Sequence, residues 1–136
     1  MMGCDYNSFF DGKSVLVTGG AGFIGSHLTQ HLATLGARVR VLDDFSTGHA
    51  ENLRGIDVEC IEGSILNQTL LKETCEDVDV VFHLAAFISV PQSIVEPKVC
   101  FEVNIEGTQN LIESVETTTC ARIVFASSAA CYGSHP

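Results

Sequence analysis

KSVLVTGGAGFIG, residues 13–25, is where the fold declares itself. Lys13 to Thr18 is a short apolar run that stops at two glycines, the pattern of a buried strand. From Phe23 to Leu35 apolar residues fall at Ile24, Leu28, Leu32 and Leu35, which is helical spacing, and Gly36 follows as a stop. Strand, glycine turn and helix in that order open a βαβ unit. Arg38 to Asp43 (RVRVLD) alternates into the second strand.

The rest of the chain continues the alternation. Asp57 to Glu62 (DVECIE) reads as a third strand and Gln68 to Cys75 as a short helix. Val78 to Ala85 (VDVVFHLA) is a fourth strand, apolar enough to be central. Pro91 and Pro97 mark an irregular passage. A long helix follows over Val99 to Glu116. Its apolar residues Val99, Phe101, Val103, Ile105, Leu111, Ile112 and Val115 cover much of the circumference and predict burial on more than one face. Arg122 to Ser127 (RIVFAS) is the fifth strand. There is no internal repeat, low-complexity stretch or linker. This order predicts an α/β fold: a parallel sheet with helices on both faces. Right-handed crossovers make it a doubly wound, Rossmann-like sheet of strand order 3-2-1-4-5. The switch point then lies between strands one and four.

Composition bounds the function. The 136 residues make one domain, 46% hydrophobic and 18% charged, an ordinary globular balance. Seventeen acids against seven Lys plus Arg give a formal charge of −10, which argues against nucleic acid and against an anionic membrane surface. No apolar run approaches the ~18 residues of a spanning helix. The N-terminus MMGCDYNSFFDGK has neither the basic nor the long apolar region of a secretory signal. The six cysteines are widely and irregularly spaced with no C-x-x-C pair, so neither a metal site nor a disulfide framework is favoured. Reduced thiols in a cytoplasmic protein are the expectation, with Cys60, Cys100 and Cys131 as small buried hydrophobes.

The glycine turn carries the chemistry. Gly19, Gly22 and Gly25 form G-x-x-G-x-x-G between a strand and an amphipathic helix. Gly19 permits a tight turn with positive φ, Gly22 lets backbone approach a pyrophosphate, and Gly25 lets the helix pack closely on the sheet. Free N–H groups and the dipole at the helix start attract phosphate, which lets so acidic a chain hold an anionic cofactor. Asp43 and Asp44 end strand two, where a carboxylate accepts the hydroxyls of the adenosine ribose and repels a 2′-phosphate. The nearest arginines are Arg40 and Arg54. NAD is therefore favoured over NADP. His83, inside an apolar strand, reads as a buried, hydrogen-bonded histidine rather than a base. No Ser-His-Asp order or metal constellation competes.

By these residues the chain resembles the extended short-chain dehydrogenase/reductases, in the NAD-dependent epimerase/dehydratase branch (UDP-glucose 4-epimerase-like). The matching segments are TGGAGFIGSHL (18–28), VLDDFSTGHAENL (41–53), HLAA (83–86), VPQSIVEP with VNIEGTQNLIE (90–113) and VFASSAACYG (124–133). The resemblance implies that Gly22, Phe23 and Ile24 line the pyrophosphate and that Asp43 holds the ribose. It implies that Asp44, Phe45, Ser46, Thr47 and Gly48 lie along the adenosine. Ser64 and Ile65 would flank adenine, with Ser64 standing where the family usually has Asp. Leu84, Ala85 and Ala86 would run along the cofactor, with Ser127 supporting it. Ser128 matches the family's catalytic Ser/Thr, which hydrogen-bonds the sugar oxygen that becomes a carbonyl. Asn104 matches a structural Asn, and Ile88 stands where some members have Lys.

The family's general base is the Tyr of a Tyr-x-x-x-Lys pair. Only Tyr6 and Tyr132 are present, and neither has Lys four residues on. Residues 1–136 are therefore expected to be the N-terminal, NAD-binding part of a nucleotide-sugar epimerase or dehydratase, without the C-terminal substrate region. On that expectation the chain alone gives no turnover and exposes an apolar edge along strand five. A non-catalytic NAD-binding module, or a reductase of the same family, are the alternatives. The resemblance also implies a homodimer through helix 99–116.

Overall fold

A computed structural model describes residues 6–133. A single turn α1 (Tyr6–Phe9) leads to β1 (Ser14–Thr18), α2 (Phe23–Thr34) and β2 (Arg38–Asp43). Then come β3 (Glu59–Glu62), α3 (Gln68–Thr74) and β4 (Val80–His83). The second half continues with α4 (Val90–Val95), α5 (Pro97–Phe101), α6 (Gly107–Val115) and β5 (Arg122–Phe125). The five strands form one parallel sheet in the order β3-β2-β1-β4-β5. This is the doubly wound arrangement expected from the alternation of elements.

β1 lies at the centre because both its faces are apolar: Val15, Leu16 and Val17 are fully buried. Alternate residues along the strands feed two cores. Val15, Val17, Val39, Val41 and Val80 pack with Leu32 of α2 on one face. Leu16, Leu42 and Val81 pack with Leu71 of α3 and Leu111 of α6 on the other. Asp79 joins β1 to β4 at the amino end of the sheet. It accepts from Ser14 N (2.9 Å) and from Lys13 Nζ (3.1 Å), and these two contacts hold its carboxyl below the usual range. Gly36, at φ +83, ends the α2 turn as expected.

Four local expectations are corrected. The passage around the two prolines is helical, because Pro91 and Pro97 each occupy a first-turn position that needs no N–H donor. The long helix starts at Pro97, two residues early, and contains a wider π turn over Glu102–Glu106. Only one side of it is buried: Leu111 is inaccessible, whereas Val99, Phe101, Ile105 and Ile112 are exposed, since no described element packs against them. Cys60 and Cys131 are exposed rather than buried, on edge strand β3 and in the turn after β5. Cys100 is half-buried, and Cys75 at the end of α3 is the buried thiol. All five described cysteines are free.

Candidate functional site

The carboxyl ends of β1, β2 and β4 converge at the switch point, where doubly wound sheets place their ligands. Gly19 turns there at φ +69. A Cβ on Gly19 would stand 2.7 Å from Ala85 N, so the chain leaving β1 lies against the chain leaving β4. At Gly25 an added Cβ would overlap the carbonyl oxygen of Gly19, so α2 can start only where a hydrogen takes that place.

The start of α2 is left uncapped. Its N-cap residue, Gly22, provides no side-chain hydrogen bond. The first helical bond runs from Ser26 N to Gly22 O (2.9 Å), so the amides of Phe23, Ile24 and Gly25 precede it. Phe23 and Ile24 are also exposed. These unsatisfied donors, at the positive end of the helix, suit an anion.

Asp43 stands beside them, 7% exposed. Its Oδ2 accepts from Ala21 N in the glycine turn (2.8 Å), and its Oδ1 accepts from Phe45 N (2.9 Å). Each carboxylate oxygen retains a further acceptor position. Phe45 takes φ +55, and Asp44 Oδ1 accepts from Ser46 N and Ser46 Oγ (2.9 and 2.6 Å), so residues 44–46 form a tight turn beside Asp43. Ser46 and Thr47 are exposed and Gly48 is buried. The next turn folds back on the glycines, with His49 N and Asn52 Nδ2 both donating to Ala21 O (3.1 and 2.8 Å). Arg40 is held away by Glu59 (2.8 Å) and by the carbonyls of Thr74 and Glu76.

The second wall is residues 84–87. Leu84 N donates to Thr18 O (3.1 Å). Asn104, inside the π turn, brackets Phe87: its Oδ1 accepts from Phe87 N (2.8 Å) and its Nδ2 donates to Phe87 O (3.1 Å). Leu84 and Ala85 are half-buried and Ala86 is exposed. Ile65, 4% exposed, packs under α6 where Gly107 leaves room, and Ser64 Oγ accepts from Leu66 N (3.2 Å).

Ser127 and Ser128 follow β5, both exposed. Ser128 Oγ caps the next turn, accepting from Ala130 N (3.1 Å), while Ser127 Oγ lies 3.4 Å from Cys131 Sγ. That contact and the Ser128 backbone hold the Cys131 thiol below its usual range. His83 is 2% exposed, and burial pulls its pKa down to about 4, so it is neutral near pH 7. It is bonded on both ring nitrogens, as a core histidine should be.

The structure thus gathers Gly19, Gly22, Phe23, Ile24, Gly25 and Asp43–Gly48 around one crevice with Leu84, Ala85 and Ala86. Reading the sequence did not single out Ala21, Asn52, Thr18 or Thr108. Strand register aligns Thr18 with His83, and the docking of α6 on the sheet brings Thr108 to it. Among the described residues, no helix is long and apolar enough to cross a membrane.

Comparison with known proteins agrees with this geometry. Residues 15–136 match the model of the NAD dependent epimerase/dehydratase family. A UDP-glucose 4-epimerase of Halalkalibacterium halodurans is 40% identical over 122 residues, covering 88% of this chain and 36% of that protein. A UDP-N-acetyl-alpha-D-glucosaminuronate decarboxylase of Bacillus cytotoxicus is 37% identical over 124 residues, covering 89% and 38%. The UDP-glucose 4-epimerase of Brucella ovis, solved in complex with NAD, superposes with a TM-score of 0.83 at 40% identity, covering 90% of this chain and 38% of that one. The chain therefore spans little more than a third of the length of these relatives. On the family match, the order of the sheet and the glycine turn, it belongs to the NAD dependent epimerase/dehydratase family.

Proposed function

We propose that this chain is the NAD-binding part of a cytoplasmic nucleotide-sugar epimerase or dehydratase. One observation carries the reading: an uncapped helix start lies beside a buried carboxylate that binds the same glycine turn through one oxygen and the turn after β2 through the other. The pair offers donors to a pyrophosphate and acceptors to a ribose within one crevice.

Each group then has a task. The amides of Phe23, Ile24 and Gly25 hold the pyrophosphate, which Gly19 and Gly22 admit by lacking side chains. Asp43 accepts the ribose hydroxyls and disfavours a 2′-phosphate. The turn Asp44–Gly48 lies along the adenosine, and Ser64 and Ile65 flank the adenine. Leu84, Ala85 and Ala86 form the wall along the cofactor, and Ser127 supports it. The accepting role of Ser128 Oγ toward Ala130 N leaves its proton free for a sugar oxygen. Held by these residues, NAD would supply a hydride acceptor and donor for the chemistry at a sugar carbon. The exposed side of the 97–115 helical run, with Val99, Phe101 and Ile105, is the surface we assign to a homodimer of the whole protein.

Calorimetry of the purified chain with NAD and NADP tests the cofactor reading. Saturable NAD binding, at least tenfold tighter than NADP, is expected. Asp43→Asn should weaken NAD by tenfold or more and narrow its lead over NADP. Equal binding of the two dinucleotides, or none by a chain that circular dichroism shows to be folded, would overturn the proposal.

A further inference from the structure

The two walls of the crevice are joined by a run of side-chain hydrogen bonds that begins at the end of β1. Strand register sets Thr18 opposite His83 and His83 opposite Phe125, in one row across the carboxyl end of the sheet. Thr18 Oγ1 lies 2.7 Å from His83 Nδ1, and His83 Nε2 lies 3.0 Å from Thr108 Oγ1. Thr108 gives its one hydroxyl proton to the carbonyl of Asn104 (2.8 Å). It can therefore only accept from His83, which puts the ring proton on Nε2. Nδ1 is then bare and takes the proton of Thr18. With its proton committed, Thr18 Oγ1 turns a lone pair to Ala85 N (3.3 Å).

We infer that His83 is a positioning residue for the cofactor crevice: its Nε2–H tautomer orients the Thr18 hydroxyl so that it holds the Ala85 amide, and so sets the gap between the wall after β1 and the wall after β4. The inference rests on the NAD-binding reading. Its physical basis is the narrowness of the crevice at that point, where Gly19 and Ala85 touch without side chains between them. A hydroxyl free to rotate would leave the Ala85 amide without a fixed acceptor on the wall that faces the cofactor. The ring's two bonds also split the task. Nδ1 governs the crevice, and Nε2 ties the same unit to the helix carrying Asn104.

Variants separate these halves. Asn places an amide oxygen where Nδ1 stands, whereas Gln reaches only the Nε2 position. In the full chain, His83→Asn should keep NAD affinity within about twofold. His83→Gln and Thr18→Val should each lower it fivefold or more, with Thr18→Ser restoring it. Hydrogen exchange at the Ala85 amide, measured without cofactor, should quicken in the two weakened variants only. Long-range nitrogen NMR of the wild type should show a neutral ring protonated at Nε2. A ring protonated at Nδ1 overturns the inference, and so does wild-type affinity in both His83→Gln and Thr18→Val. If Thr18→Val does not fold, the contrast between Gln and Asn at position 83 decides. Failure of the wild type to bind NAD removes the cofactor reading and this inference together. Binding that no variant alters removes this inference alone.

Discussion

A histidine kept neutral inside a sheet makes the fold sensitive to mild acid. His83 titrates near 4 when buried and near 6.5 when not. Between those values the unfolded chain binds a proton that the native chain refuses, so stability falls as pH falls. The contribution is complete above about pH 6.5 and gone by about pH 4, a loss of about 3 kcal/mol. Urea unfolding at several pH values should show this decline, and His83→Asn should flatten it across that window. An unchanged profile in the variant would mean that other groups set the acid response. A single His in an apolar strand was legible as buried. Its partners were not, because Thr18 and Thr108 lie 65 and 25 residues away and meet it only through sheet register and helix docking. The distance of Asp43 from the glycines made it a candidate ribose acceptor. What the structure shows it doing, fastening Ala21 and Phe45, involves a turn of positive φ that a phenylalanine gives no reason to expect.

At the scale of elements, the strands and the helix after the glycines follow directly from apolar spacing, and their order dictates the topology. The long helix shows where spacing stops informing. Its apolar residues on several sides predicted burial on several sides, yet amphipathicity records only what a surface suits and not what covers it. The π turn escaped for a different reason. Asn104 satisfies both backbone groups of Phe87, and that tertiary contact accompanies the local widening of the helix over Glu102–Glu106. Asn104→Leu keeps the bulk and removes both bonds. It should cost about 1–3 kcal/mol by leaving Phe87 unpaired. Exchange at the Phe87 amide should accelerate at least tenfold while the amides of β1 stay protected. Equal protection of Phe87 in the variant would show that the helix, and not the asparagine, holds the loop.

For the molecule as a whole, the asymmetry of the sheet matters most. β3 borders one side, and its partner-free edge carries Glu59 and Glu62, charges that discourage pairing with another chain. β5 borders the other side with Val124 and Phe125 exposed, 41% and 56%. An open strand with apolar side chains templates association. The purified chain should therefore self-associate at micromolar concentration in sedimentation velocity. Val124→Lys, away from the crevice residues, should shift it toward monomer. A wild type that stays monomeric over that range would show the edge to be protected.

Because β1 occupies the middle of the sheet, its two neighbours arrive at very different times as the chain leaves the ribosome. β2 begins 24 residues after β1, whereas β4 begins 66 residues after it. The glycine turn, α2 and Asp43 can assemble as a first hemisphere while one flank of β1 is still bare. Only docking of the later half brings Ala85 to Gly19 and closes the pocket. Ligand capture would then be a late event in biogenesis, and dinucleotide supplied during refolding should stabilise the finished chain while leaving the rates of the earlier phases unchanged.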